Sequence, residues 1–192
     1  MLAGGAARRL GGALKPARQV GGRPLVRRVL DAAVAASPRV VVGPPALASV
    51  LPDGVRLVQE QPPGGGPVAG LAAGVRLVPS GVRLVAVLSA DLPFLTPAVL
   101  VELAAALGDG GDVAVLLDGA GRPQWLCSVW RRAALVERLV AGPDPRGVPM
   151  RALVRDVDVR RVAVDGPGPP PWFDCDTEED VRRAEEMLHD SR

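Results

Sequence analysis

Lys15 is the one lysine of the chain, set against 22 arginines, and it follows two glycine pairs, Gly4-Gly5 and Gly11-Gly12, with Arg9 between them. Glycines let main-chain N–H groups approach phosphate oxygens, and a cation beside them supplies the opposing charge. The stretch therefore has the makings of a phosphate cradle, with Lys15 and Arg9 as its charges; the competing reading is a turn in a glycine-rich protein. It is not a P-loop of the G-x-x-x-x-G-K-[ST] type, because Pro16 follows Lys15, and it is not G-x-G-x-x-G. Asp91 closes the apolar run L-V-A-V-L-S-A-D and suits either a turn or a magnesium ligand, since that ion takes carboxylate and phosphate oxygens. Asp174 and Asp176 flank Cys175. Asp176 or Thr177 also reads as a helix cap, with Glu178 and Glu179 in the favourable first turn, and one residue can serve both ends.

Elements must hold these residues at one place. Short β-branched runs at 39–42, 55–58, 82–88 and 113–117 are bounded by Gly, Pro, Ser or Asp, as strands buried on both faces should be. Between them, 24–36, 67–78 and 96–107 carry Leu, Val and Ala at helical spacing. Pro24, Pro67 and Pro97 suit a first helical turn and Thr96 an N-cap. Farther on come a strand at 124–130, helices at 131–140 and 150–154, a strand at 159–164 and a helix at 177–189. Alternating strands and helices imply an α/β fold, a doubly wound and mostly parallel sheet with helices on both faces, in one domain spanning 1–192. Gly4, the 64–67 loop and Asp91 each follow a strand, so all three should line the crevice at the carboxyl ends.

Composition narrows the function classes. At 192 residues and 48% hydrophobic, one core is affordable, and a net charge of +2 with scattered arginines leaves no footprint for nucleic acid. No apolar run nears the roughly 20 residues a membrane span needs. Cys127 and Cys175 are too few and too far apart for a metal site or a disulfide framework, which fits a reducing, cytoplasmic home. Cys127 reads as core and His189 as surface. Trp125 and Trp130, at odd offset, are expected on opposite strand faces. The pairs Arg27-Arg28, Arg131-Arg132 and Arg182-Arg183 are expected on solvated helix faces. Ile, Asn and Tyr are absent, a sign of GC-rich coding under which a plain positive charge drifts to Arg. A persisting lysine suits a compact point charge in a loop too tight for a guanidinium.

The opening L-A-G-G-A-A-R-R-L-G-G-A-L-K closely resembles that of the molybdenum cofactor guanylyltransferases, among the nucleotidyltransferases with a glycine-rich signature loop. Gly4, Gly5, Arg9, Gly11, Gly12 and Lys15 fall on the family pattern, with Leu14 in place of its aspartate. G-G-G-P-V-A-G-L is similar to the family's G-P-[LV]-A-G-[IL] segment, with Gln61 where an upstream aspartate is common. L-S-A-D-L-P-F-L resembles the strand-end motif whose aspartate holds magnesium. P-Q-W-L-C-S-V-W-R resembles Q-P-L-x-x-x-[YW]-R, with Trp125 for the usual proline. W-F-D-C-D-T-E-E-D resembles the closing [ND]-x-[ND]-T-P-E-D, with Glu178 for its proline.

The resemblance implies a nucleotide-diphospho-sugar transferase-like fold and transfer of GMP from GTP to the phosphate of molybdopterin. It implies Lys15 and Arg9 as catalytic cations and Asp91 as the Mg2+ ligand. Leu2, Ala3, Gly4, Gly5, Gly11, Gly12, Lys15, Gln61, Gly66 and Pro67 would bind nucleotide, and Asp174 and Asp176 the acceptor. It also implies a monomer or weak oligomer with transient contacts to molybdoenzyme maturation proteins. A cytidylyltransferase for the same cofactor, a transferase for another phosphorylated small molecule, and a non-catalytic nucleotide-binding descendant remain as alternatives. Only Met1–Ala3 precede Gly4, against about five or six residues for an ordinary strand. The first strand is therefore expected to be truncated, and the natural protein to begin upstream with a β-branched run.

Overall fold

The computed structural model describes residues 1–4, 14–142 and 144–190. The short apolar runs are strands. β3 (Arg39–Val42) pairs in parallel with β4 (Val55–Val58). β5 (Leu84–Leu88), β6 (Val113–Leu117), β7 (Pro123–Arg131) and β8 (Val159–Val162) form a ladder in the order β5-β7-β6-β8. β7 runs antiparallel to both of its neighbours, and β8 runs parallel to β6.

The two ladders meet at Leu2, which bridges Val42 on one side and Ser89 on the other, both in parallel. Leu2 N–H donates to Leu88 O at 2.7 Å, Ala3 N–H to Val42 O at 2.7 Å, Val42 N–H to Met1 O at 2.9 Å and Ala90 N–H to Leu2 O at 3.0 Å. The full order is β4, β3, Met1–Ala3, β5, β7, β6, β8, so the shortest segment lies inside the sheet.

Helices cover both faces. α1 (Leu25–Ala32) and α3 (Pro97–Leu107) pack with Leu88, Ala114, Leu116 and Cys127. α2 (Pro67–Val75), α4 (Arg132–Ala141) and α5 (Met150–Leu153) pack with Val87, Val113 and Trp130 on the other face. Neighbouring strand residues thus enter opposite cores, which is why these strands read as unbroken apolar runs. α2 lies tight on β3: a Cβ at Gly74 would stand 2.8 Å from Val42 Cγ2, so only glycine fits. Thr96 caps α3 through Val99 N–H, and α6 (Glu178–Asp190) buries Ala184.

Three expectations need correction. The helices expected at 24–36 and 67–78 are shorter, and a two-residue hairpin of β1 (Gln19–Val20) and β2 (Arg23–Pro24) precedes α1. Trp125 and Trp130 do not part to opposite faces; both belong to the α2/α4/α5 core. The β6–β7 register shifts between Val115 and Leu116, where Ser128 Oγ donates to Trp125 O at 2.9 Å, and this bulge cancels the odd offset. Two arginine pairs are not merely solvated. Arg27 and Arg28 Nε donate to Val50 O and Val20 O, and Arg131 Nε and Arg132 Nη2 to Gly111 O and Val78 O. These bonds tie each guanidinium to a main-chain carbonyl near the ends of neighbouring elements. Arg182 and Arg183 are exposed, as are the last residues of α6 around His189, and Cys127 is core.

Candidate active site

In the main sheet every strand except β7 points the same way, so the turns after Ala3, β4 and β5 open at one end of it. Asp91 lies in the turn after β5. Its side chain is 16% exposed, and Oδ1 is buried with no hydrogen-bond partner, while Oδ2 accepts from Lys15 Nζ at 2.5 Å. Lys15 also donates to Asp176 Oδ1 at 2.5 Å, so one ammonium bridges two carboxylates.

Local sequence places each partner. Leu14 packs against the cluster of Ala3, Val26, Val41 and Leu47, and Pro16 is buried, so the end of the glycine-rich segment is fastened on both sides of Lys15. Where the resemblance has an aspartate, this chain uses an apolar anchor. At the other end of the sequence Cys175 is fully buried among Val20, Leu25 and Phe94, and its N–H donates to Asp91 O at 3.1 Å. With the middle residue of Asp174-Cys175-Asp176 held inward, its two neighbours turn out towards Lys15. Thr177, not Asp176, caps α6: its Oγ1 accepts from Asp180 N–H at 3.1 Å, and Asp180 Oδ2 accepts from Thr177 N–H at 2.8 Å. Asp176 is free for the site.

The electrostatics follow from the crowding. Partial burial pulls the Lys15 pKa down, but the charges and hydrogen bonds of Asp91 and Asp176 outweigh it and hold it above the ordinary lysine value. Asp174 is pushed above the usual carboxylate range, first by desolvation and then by Asp176 and Asp91. Two carboxylates pair with one ammonium and a third, Asp174, feels its charge without touching it, so net negative charge remains, with the buried Oδ1 of Asp91 unsatisfied. The donors are all hard oxygens, so the cluster fits a hard divalent cation. Asp91 and Asp176 would hold it, with phosphates and waters completing its shell.

The second part of the crevice is the loop from β4 into α2. Gly66 takes φ +88° at the helix N-cap, a conformation that needs glycine, and Pro67 opens the helix. Gln61 is exposed on the same loop. Glu60 accepts from Gly64 N–H at 3.0 Å and Gly147 N–H donates to Gly65 O at 2.8 Å, so the glycines are braced from both sides. Neither brace was anticipated. Glu60 was readable as a carboxylate at a strand end before a glycine run; Gly147 comes from the α4–α5 connection and left no local signal. Among the described residues no hydrogen bond or ion pair joins this loop to the Lys15 cluster. Leu2, Ala3 and Gly4 end the central segment, and a Cβ at Gly4 would meet nothing within 4 Å. Gly5, Arg9, Gly11 and Gly12 lie outside the described residues.

A mostly parallel sheet with a lysine–carboxylate cluster and a braced glycine loop at its carboxyl ends is the nucleotide-diphospho-sugar transferase fold, and the family model makes the chain a nucleotidyltransferase. The chain belongs to the MobA-like NTP transferase domain family, whose model matches residues 1–162. A molybdenum cofactor guanylyltransferase from Rhodopseudomonas palustris (strain BisB5) is 33% identical, covering 100% of this chain and 94% of that protein. Among solved structures, molybdopterin-guanine dinucleotide biosynthesis protein A from Archaeoglobus fulgidus superposes with a TM-score of 0.70 at 23% identity, covering 98% of this chain and 97% of that one. Rv0371C from Mycobacterium tuberculosis H37Rv, in complex with manganese, superposes with a TM-score of 0.69 at 23% identity, covering 96% and 95%. Among the described residues no helix is long and apolar enough to cross a membrane.

Proposed function

We propose that this chain transfers GMP from GTP to the terminal phosphate of molybdopterin, releasing pyrophosphate. The observation that carries the site assignment is the Lys15 ammonium clamped between Asp91 and Asp176 at the carboxyl end of the central strands. The relatives named molybdenum cofactor guanylyltransferase, matched over the full chain, support the substrates.

An acceptor phosphate oxygen attacks the α-phosphorus of GTP; the bond from that phosphorus to the bridging oxygen breaks, and its electrons leave with pyrophosphate. The acceptor phosphate is already ionised, so no general base is required, and the residues act by placing charge and holding geometry. The resemblance gives Lys15 and Arg9 the task of balancing triphosphate charge, and the main-chain N–H groups of Gly4, Gly5, Gly11 and Gly12 that of binding its oxygens; Lys15 and Gly4 are the two of these among the described residues. The loop of Gln61, Gly66 and Pro67 offers the amino end of α2 as a further anionic contact. Asp91 and Asp176 would hold Mg2+, which when bound would neutralise charge on the phosphates and orient them. Manganese in one structural neighbour supports a divalent ion of this kind. Asp174, with its raised pKa, flanks the acceptor side.

A panel of GTP, CTP, ATP and UTP, each with Mg2+ and molybdopterin, tests the reading through pyrophosphate release. Expected is release with GTP well above the others; preference for CTP would make the chain a cytidylyltransferase for the same acceptor.

A further inference from the structure

A polar cluster that the transfer chemistry leaves unused stands at the same end of the sheet as Lys15. β5 and β6 both run antiparallel to β7, so the β6–β7 hairpin turns over at the end where the Asp91 turn opens. Asp118 follows β6 directly, and its side chain is only 7% exposed. It accepts four hydrogen bonds: from Ala120 N–H and Arg122 N–H at 2.9 Å each, from Arg122 Nε at 2.9 Å and from Gln124 Nε2 at 3.1 Å. The two main-chain bonds are enough to shape a turn. The other two hold side chains, one of them an arginine whose side chain is 78% exposed, and an exposed pair of that kind adds little stability.

The cluster is joined to the Lys15 site along two routes. Gln124 lies two residues before Leu126, whose carbonyl accepts from Ser89 N–H at 2.7 Å, and Ser89 is two residues before Asp91. On the other side, a Cβ at Gly119 would stand 3.5 Å from Trp172 Cζ2, so the indole lies against the hairpin tip. Trp172 packs on the α1/α3 core yet stays partly exposed, and it precedes Asp174 by two residues. One wall thus leads from the Lys15–Asp91 pair through Asp174 and Trp172 to Arg122 and Gln124. Gln124 Oε1, Trp172 Nε1 and the two Nη atoms of Arg122 have no hydrogen-bond partner among the described residues, and none is a buried orphan. The wall therefore offers solvent one amide oxygen, two kinds of N–H donor and part of an indole.

We infer that Gln124, Arg122 and Trp172 read the ring of the acceptor, a planar fused heterocycle whose edge carries both N–H donors and a carbonyl oxygen, and that Asp118 is their positioning residue. Gln124 Oε1 accepts from the ring's N–H edge, Arg122 donates to its carbonyl, and the indole meets its face or edge. An alkyl phosphate without such a ring has nothing for Gln124 Oε1 to accept from. Asp118, with Nε2 of Gln124 already on its carboxylate, fixes which end of that amide faces out.

The inference rests on the acceptor proposed above, and the test separates the two. Pyrophosphate release with Mg2+ is followed in the original chain, Gln124→Leu and Asp118→Asn, varying molybdopterin and then GTP. Expected is a KM for molybdopterin raised about 10-fold in both variants, with the KM for GTP within about twofold, the mark of binding lost at the acceptor alone. A hairpin clamp with only a structural role would lower the Tm and leave the ratio of the two KM values unchanged, which would overturn the inference. A second arm needs no GTP: neopterin monophosphate is titrated into each chain with Mg2+, and its fluorescence is read. Expected is quenching by the original chain and an affinity at least about 5-fold weaker for Gln124→Leu and for Trp172→Phe, which keeps an aromatic ring on the core but removes the indole N–H. No binding by the original, or equal affinity in all three chains, would overturn the inference. Preference for another nucleotide with the pterin arm intact would sink the GTP reading and leave the ring site standing. GTP-dependent release with equal acceptor KM values would do the reverse.

Discussion

At the scale of single residues, the Lys15 bridge makes three outcomes separable. Asp91→Asn removes one of the two carboxylate partners of the ammonium and the buried oxygen that awaits a cation. Pyrophosphate release should fall to background, with the Tm within a few degrees of the original because Asp176 still pairs with Lys15. Lys15→Ala should raise the transfer barrier by about 2–4 kcal/mol, the scale of one preorganised charge lost, and Lys15→Arg should restore only part of it. Full recovery by arginine would show that charge alone matters. Because Lys15 and a divalent cation share the same carboxylates, Lys15→Ala should also bind Mn2+ several-fold more tightly without nucleotide, as read by electron paramagnetic resonance. An unchanged or weaker affinity would mean that the ammonium and the metal do not compete. Lys15, Asp91 and Asp176 were each legible in the sequence as charged residues beside glycines, at a strand end and in a closing motif. Their convergence on one ammonium was not, since it depends on Cys175 docking into the core and on its N–H meeting Asp91 O.

At the scale of elements, close approach and strand length set the sensitivities. Gly74→Ala would push a Cβ to 2.8 Å from Val42 Cγ2 and force α2 away from β3, at a cost of about 1–3 kcal/mol in urea unfolding. A loss of unfolding free energy smaller than about 0.5 kcal/mol would show that the helix can slide at no cost. The Met1 amine gives a pH signature. Its folded value of about 6 lies below its ordinary 8.0, so between these values the unfolded chain binds more protons. Stability read by urea unfolding should therefore fall as the pH drops from 8 to 6, by up to about 2–3 kcal/mol, and a flat profile over that range would show that the amine is not buried in the folded chain. Strand order and helix faces could be read from apolar periodicity because buried strands and packed helices carry different periods. The β7 bulge could not: one irregular rung at Ser128 and Trp125 reverses the alternation on which the reading of the tryptophans rested.

At the scale of the whole molecule, the fold gathers distant chain segments at one edge. The ends of Met1–Ala3, β4 and β5 are brought together by parallel pairing, and the closing segment before α6 is pinned across them. Such a crevice places charge with little covalent chemistry, which fits a site whose described residues combine one lysine with three carboxylates and braced glycines. The most direct measurement is pyrophosphate release from GTP with molybdopterin and Mg2+, run side by side on the original chain and on Asp91→Asn, each with its Tm recorded. Expected is GTP-dependent release by the original and release at background level by an Asp91→Asn protein of nearly unchanged Tm. Equal release by the two proteins would contradict the assignment of the reaction to the Lys15–Asp91 cluster.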